Sequence, residues 1–492
     1  MRFLKKYRLA IIVVFLLCAR LFHMGETIDT PHAWRQYDTK QYIDAYYHEN
    51  VSFLEPAVCW MGGHKTLALE FPLPEFLAAQ LYKIFGPQLW VSRTFFLLFF
   101  LISVVFLYKS LKLVFSDIIP EISVLIYGLM PLSLYFSRAI HIDFFVFAFV
   151  FAMLYYSMLA IRNEKFWQLF IALICATIAF LVKAPYVFYF SLPILMFAIH
   201  EGKFNWFIKR SILFAVPVLL LWKWTSYTKA LNLEVPDWSF VPNFNNFTEM
   251  WYWYFGTWDQ RTNLTNWSTI GGRILWEVLG YTGSILMVIG LVFTPKNRQF
   301  YWTLTLFFGT AIYGLIFFNL NLIHNYYQLP FTVCCALIMA LGIQWIVNYI
   351  SKNSKTRMII IVVILGSVAF EGIQYAESNY YNRNEGMEHI AEQIRIHTKQ
   401  EDLIIVSFGG LSPQCPLLLQ PAGRYGWSVP IHDITPKLIF DLWKTGDANK
   451  LAVVYNGYFE GEFKVFFEAM KNKIGIPLNN NGQVLYICDL NF

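Results

Sequence analysis

Residues Pro31 to Asn50, PHAWRQYDTKQYIDAYYHEN, set Arg35, Asp38, Asp44, His48 and Glu49 among aromatic side chains directly after the first hydrophobic segment. A carboxylate such as Asp38 can act as a general base that takes a proton from an acceptor hydroxyl or amine. It can equally cap a helix, and Asp38-Thr39 is a good capping pair. Further ionisable groups recur at the edges of later apolar segments. They are Arg138, His141 and Asp143 in SRAIHID, Lys183 in VKAP, and His324, Tyr326 and Tyr327 in IHNYYQLP. Any one of them reads as a snorkelling side chain. Ionisable groups at membrane depth are costly, so several gathered on one face mark a site. Cations beside Tyr hydroxyls suit a departing phosphate, whose negative charge they stabilise. Glu70, in LALEFPLPEF, is a candidate, with His141 and Asp143, for a second acid or for binding a sugar or acceptor. Glu70 also reads as an acidic residue ahead of a helix. His32, His48, His64 and Glu49 match no zinc spacing. No metal or other cofactor is therefore expected, a divalent ion being the less favoured alternative.

The element that must position these groups is a membrane-embedded helical bundle. The chain of 492 residues is 57% hydrophobic and 14% charged, against roughly 45–50% and 25% for soluble domains. Candidate spans lie at about 9–26, 90–108, 118–137, 142–161, 166–183, 185–200, 211–227, 273–293, 300–319, 328–350 and 357–374, which makes about eleven. With the N-terminus in the cytoplasm, every inner loop carries Lys or Arg, as the positive-inside rule requires. The C-terminus then lies outside. The candidate residues fall on that outer side, in a first loop at 27–88 and in the short turns. A second outer loop at 228–271 carries Trp and Tyr suited to headgroup level. Stretches 38–49 and 74–85 read as amphipathic helices in the outer interface, with Asp44, His48 and Glu49 on the solvated face of the first. The net charge of +6 forms no basic stripe, so nucleic acid is not an expected partner. The N-terminal apolar segment has no small-residue cleavage site and reads as a retained helix.

Residues 1–374 thus form the expected membrane domain, and 375–492 a soluble extracytoplasmic one. In the tail, apolar runs at 402–408, 451–456 and 483–489 alternate with helical patterns at 386–399, 434–445 and 461–472. That alternation predicts a small α/β domain with a partly parallel sheet. No glycine-rich phosphate fingerprint follows any of the strands. Four of the seven Cys lie in apolar segments. Cys415 and Cys488 fall in the tail, either as a disulfide or as free thiols.

The block HAWRQYDT at 32–39 resembles the HxWRQxDT block of bacterial membrane glycosyltransferases related to protein O-mannosyltransferases and the aminoarabinose transferase of lipid A, a glycosyltransferase family 39-like group. LEFPLPEF at 69–76, HNYYQLP at 324–330 and SPQCPLLLQPAGRYGW at 412–427 resemble further elements of that family. The resemblance implies a polytopic GT-C fold in a bacterial inner membrane. It implies a polyprenyl-phosphate-linked sugar donor, transfer at the outer face with inversion, and a lipid, glycan or protein acceptor. Asp38 would be the catalytic carboxylate. Arg35 matches the motif Arg, and Glu70, His324 and Tyr327 would line the donor pocket. Arg138, Lys183 and Tyr326 join the donor-phosphate group by position. The protein mannosyltransferases carry adjacent Asp-Glu where this chain has Asp38-Thr39, which weighs against a protein acceptor. Two rivals are oligosaccharyltransferase-like en bloc transfer and a lipid-linked glycan transporter or flippase without catalysis. The first would need a WWD-type motif in the soluble domain, and the chain has only Thr257-Trp258-Asp259 in a loop. The second would show repeat symmetry and midplane polar groups.

Overall fold

The structure is a computed structural model that describes residues 7–63, 65–234, 249–409, 411–455, 461–470, 473–478 and 482–492. His64 and part of the second loop lie outside the described residues. The chain divides into two compact units. One comprises 1–24, 92–226 and 246–381, the other 25–91, 227–245 and 382–492.

The first unit is helical. Among the described residues, seven helices are long and apolar enough to cross a membrane. They are Leu89–Val114, Asp143–Asn163, Phe166–Tyr186, Phe204–Leu231, Leu264–Phe293, Asn325–Ile350 and Ser354–Asn379. Arg8–Cys18, Ile119–Leu129 and Phe188–His200 are shorter and apolar. The chain is an integral, multi-pass membrane protein. Helix Phe166–Lys183 runs on through Ala184-Pro185 into short 3₁₀ stretches before helix Ser191–His200. Close helix packing relies on small residues. A Cβ on Gly290 would lie 2.1 Å from the Ile338 carbonyl oxygen.

One break in this bundle aims the loop that carries Arg138, His141 and Asp143. Helix Ile119–Leu129 ends at Met130, and Pro131 opens a new six-residue helix, Pro131–Phe136. A proline supplies no N–H to the preceding turn, so carbonyls are released there. In hydrocarbon they need donors. Arg20, 1% exposed, supplies them. Its guanidinium donates to the carbonyls of Leu16 at 3.0 Å, Gly128 at 2.5 Å and Ser133 at 3.3 Å, and to Ser137 Oγ at 2.5 Å.

The second unit joins the first loop to the tail. The tail holds the expected α/β fold: β1 (Leu403–Phe408), β2 (Tyr425–Pro430), β3 (Lys450–Tyr455), β4 (Lys473–Pro477) and β5 (Val484–Asp489), in the order β2-β1-β3-β5-β4. The β2-β1-β3 part is parallel and β3-β5-β4 is antiparallel. The free edge of β2 is covered by the first loop. Gly426 N–H donates to the Cys59 carbonyl at 3.0 Å, and Gly62 N–H to the Gly426 carbonyl at 2.7 Å. Gly62 has φ +62°, and a Cβ there would stand 1.9 Å from the Trp427 ring. Only glycine fits both the left-handed backbone and the stacked indole. All seven cysteines are free thiols.

Candidate functional site

Asp38 does not sit at a helix start. The helix runs Ala33–His48, with His32 as N-cap, so Asp38 is in its second turn. The capping reading therefore falls, because the helix begins earlier than the charge pattern suggests. The spacing i, i+3, i+7 puts Arg35, Asp38 and Tyr42 on one face. Arg35 Nη2 lies 2.8 Å from Glu70 Oε2. Glu70 sits three residues before helix Leu73–Phe85 and is held by this ion pair. The Trp60 indole N–H donates to Asp38 Oδ1 at 3.3 Å. The Tyr42 hydroxyl donates to the Leu67 carbonyl at 2.7 Å, which fixes the loop backbone beside the same face.

Burial raises the Asp38 carboxyl to about 7; Arg35 and the indole donors of Trp60 and Trp34 pull it down, while Glu70 pushes it up. A carboxylate poised near neutrality is the protonation behaviour a general base needs. Glu75, one turn into the next helix and 4% exposed, is raised by burial to about 8. Sequence reasoning missed Trp60 and Glu75. Trp60 has no motif spacing to Asp38, since a loop and not a helical period brings it there.

The expectation that Asp44 faces solvent as part of an interfacial helix is corrected, while His48 and Glu49 stay exposed as expected. Asp44 Oδ2 accepts from Gln420 Nε2 at 2.7 Å and lies 2.5 Å from Lys40 Nζ. Glu49 accepts from the Tyr425 hydroxyl. The tail half-covers Asp44, which no local pattern announces.

In the helical unit, three separate segments bring the remaining candidates together. Asp143, at the start of helix Asp143–Asn163 and fully buried, is ion-paired with Lys183. His141 Nδ1 lies 2.8 Å from Asp143 Oδ2. The Lys183 ammonium stands 4.3 Å from the Tyr327 ring centre, 4.6 Å from that of Tyr186 and 4.7 Å from that of Tyr326. Such an aromatic cage adds cation–π attraction to the ion pair. The His141 and Tyr326 rings are 4.6 Å apart, and His324 stacks on Tyr326 at 4.9 Å. Backbone carbonyls of the motif are pinned as well. The Tyr186 hydroxyl donates to the Tyr326 carbonyl at 2.8 Å and that of Tyr313 to the Tyr327 carbonyl at 2.7 Å. Arg138, 1% exposed, is engaged by other residues. It donates to the His23 carbonyl at 3.3 Å and its guanidinium sits 4.2 Å over Tyr381. Tyr186 and Tyr313 were not singled out from the sequence; Tyr186 stands three residues after Lys183, a spacing that hints at the cage. Thr257 forms a capping box with Gln260 that opens helix Trp258–Thr262, with Trp258 and Asp259 in its first turn.

Among the described residues no group of His, Cys, Asp and Glu is arranged to hold a metal ion.

The sequence model of the dolichyl-phosphate-mannose-protein mannosyltransferase family matches residues 70–224. No curated protein sequence matches the chain. Among solved structures, ArnT from Cupriavidus metallidurans bound to undecaprenyl phosphate is similar over 97% of this chain and 97% of its own, with TM-score 0.63 and 12% identity. The archaeal oligosaccharyltransferase AglB from Archaeoglobus fulgidus, in complex with an inhibitory peptide and a dolichol-phosphate, is similar over 92% of this chain and 70% of its own, with TM-score 0.55 and 11% identity. The arabinofuranosyltransferase AftD from Mycobacteria is similar over 98% of this chain but only 40% of its own, with TM-score 0.57 and 11% identity. The chain has the GT-C glycosyltransferase fold. Within that fold it is similar to ArnT in structure, and its residues 70–224 match the mannosyltransferase family model.

Proposed function

We propose that this protein transfers a sugar from a polyprenyl-phosphate-linked donor to an acceptor at the outer face of a bacterial inner membrane, with inversion at the anomeric carbon. The observation that carries the reading is the convergence of His141, Asp143, Lys183, His324, Tyr326 and Tyr327 from three segments that are far apart in the chain. Caged and oriented cations with phenol groups suit a lipid phosphate, which is both bound and released as an anion. The likeness to ArnT, whose structure holds undecaprenyl phosphate, supports the same donor chemistry.

In this reading Lys183 and Arg138 hold the donor phosphate, with His324, Tyr326 and Tyr327 lining it. Asp143 orients Lys183 and His141; Asp143, His141 and Glu70 are assigned to the sugar or acceptor. Arg35 is assigned to the donor phosphate as well, with Glu70 as the group that aims it. Asp38 takes the proton of the acceptor nucleophile, whose lone pair attacks the anomeric carbon. The C–O bond to phosphate breaks, and its electrons leave on the phosphate oxygen. No strong acid is required, because the leaving group is already a stabilised anion. About eleven helices would cross the membrane, leaving the N-terminus inside and the tail outside. En bloc glycan transfer gains no support from Thr257-Trp258-Asp259, which lies at a helix start.

The test is sugar transfer from a purified labelled polyprenyl-phosphate sugar in envelope membranes that supply the acceptor. Asp38→Asn should lower transfer by roughly 10²–10⁴-fold while the donor lipid still binds. Unchanged transfer would remove Asp38 as the base.

A further inference from the structure

The end of the helical bundle away from Lys183 carries a cluster of ionisable groups that sugar transfer does not use. Helix Asp143–Asn163 has Asp143 at one end and Arg162 near the other. At 1.5 Å per residue the two stand about 28 Å apart, close to the thickness of a bilayer's hydrocarbon core. Arg162 therefore stands at the opposite membrane surface, which on the proposed topology is the cytoplasmic one. There Arg162, Glu201 and Arg298 bound an open cleft of about 460 Å³. The cleft lies wholly within the first unit.

The three side chains come from the ends of helices Asp143–Asn163, Ser191–His200 and Arg298–Ile316. The Glu201 carboxylate accepts from Arg162 Nε and Nη2, each at 3.2 Å, and from Arg298 Nη2 at 3.2 Å. Arg162 Nη2 also donates to the Leu113 carbonyl at 2.8 Å. Tying helix ends together is the plain structural role of such a triad, but it leaves much of both guanidiniums unspent. These bonds do not use Arg162 Nη1, and they hold Arg298 through Nη2 alone. Two guanidiniums also share one carboxylate, so a net positive charge remains. Glu164 does not offset it, because Lys203 pairs with that carboxylate. The Arg162 and Arg298 side chains are 36% and 55% exposed, so a ligand in the cleft can reach them.

A planar guanidinium fork matches the oxygens of a phosphate. Glu201 holds both forks in place before any ligand arrives, which lowers the entropic cost of binding. The cleft also has an apolar side, formed by the half-buried Leu113 and Val114. The Arg162 guanidinium lies 5.2 Å over the Phe197 ring. A soluble phosphate would leave the apolar side bare. A phospholipid would set its phosphate against the guanidiniums and its glycerol and first methylenes against Leu113 and Val114. A zwitterionic headgroup brings a cation that the arginine pair repels, whereas an anionic headgroup does not.

We propose that this cleft binds the headgroup phosphate of an anionic phospholipid in the leaflet opposite the transfer site, with Arg162 and Arg298 donating to its oxygens. The site stands whether or not Asp38 is a catalytic base. The test is native mass spectrometry of the purified full-length protein, titrated with phosphatidylglycerol, phosphatidylcholine and glycerol phosphate. Phosphatidylglycerol should bind, and the other two should bind more weakly by about fivefold or more. Arg298→Gln should weaken phosphatidylglycerol by about fivefold, the worth of one basic side chain at an anionic surface. Arg357→Gln, at a basic residue outside the cleft lining, should leave binding unchanged. His200→Trp fills the cleft without removing any member of the triad, so it should weaken binding even if Arg298→Gln folds poorly. Equal binding of phosphatidylcholine overturns the proposal, as does glycerol phosphate matching the lipid. So does binding that is indifferent to both cleft variants, or a loss in Arg357→Gln as large as in Arg298→Gln.

Discussion

The Trp60 indole N–H donates to Asp38 Oδ1 across 3.3 Å, tying the candidate base to a loop residue 22 positions away. The bond favours the ionised carboxylate against the burial that raises it to about 7. As a base Asp38 must be ionised, so kcat/KM should rise with pH along a limb near 7. Trp60→Phe removes the donor and should move that limb alkaline, by on the order of one pH unit, since hydrogen bonds to charged groups contribute about 1.5–3 kcal/mol and 1.36 kcal/mol corresponds to one unit. A limb that stays in place would show that the indole does not tune the base.

Stability should carry the same signature with a defined sign. The folded Asp38 carboxyl titrates at about 7, above its ordinary 3.8. Between those values the folded state holds a proton that the unfolded chain has lost, so stability falls as pH rises through that window. Asp38→Asn removes the contribution. Its unfolding temperature should therefore gain on the wild type between pH 5 and pH 8, read by scanning fluorimetry.

Glu75 offers an independent check. Its carboxyl is raised from 4.5 to about 8 by burial, so below about pH 4 both folded and unfolded chains are protonated and Glu75→Gln should change stability little. Between pH 4.5 and about 8 the unfolded chain ionises while the folded one does not, so the wild type loses stability through that window and levels off above it, whereas the Gln variant does not. A crossover toward the variant with rising pH is expected; parallel pH profiles would refute it.

Lys183 and Asp143 should behave as a unit. Lys183→Met leaves the fully buried Asp143 carboxylate without its ammonium partner, and breaking a buried pair costs roughly 3–5 kcal/mol. Adding Asp143→Asn should recover most of the thermal stability but none of the donor binding. Recovered binding to a polyprenyl phosphate in the double variant would show that the lysine serves folding alone.

Gly62 joins a left-handed turn to a stacked indole. Gly62→Val should destabilise the second unit by about 1–3 kcal/mol and expose the edge of β2 to limited proteolysis. An unchanged cleavage pattern would mean that the 59–62 segment does not seal the sheet.

Much of this protein is legible in its residues alone. Apolar runs long enough to span hydrocarbon leave the backbone little choice but helix, because every N–H and C=O must be satisfied within the segment. The tail's alternation of apolar runs and helical patterns likewise foretold a partly parallel sheet. Asp38, Arg35 and Tyr42 share a face by helical period only once the helix is seen to begin at Ala33, five residues before the charge pattern placed it. Contacts across long sequence separations were another matter. Only the tertiary structure brings Lys183 and Asp143 onto the Tyr326–Tyr327 turn, since packing joins segments that have no shared period. Asp44 reads as a solvated residue until Gln420, 376 positions later, closes on it. Trp60 reaches Asp38 through an irregular loop whose path depends on the sheet edge it covers. Spacing decides which side chains share a face; what that face meets is decided by the burial of apolar surface and the pairing of polar groups across the whole chain.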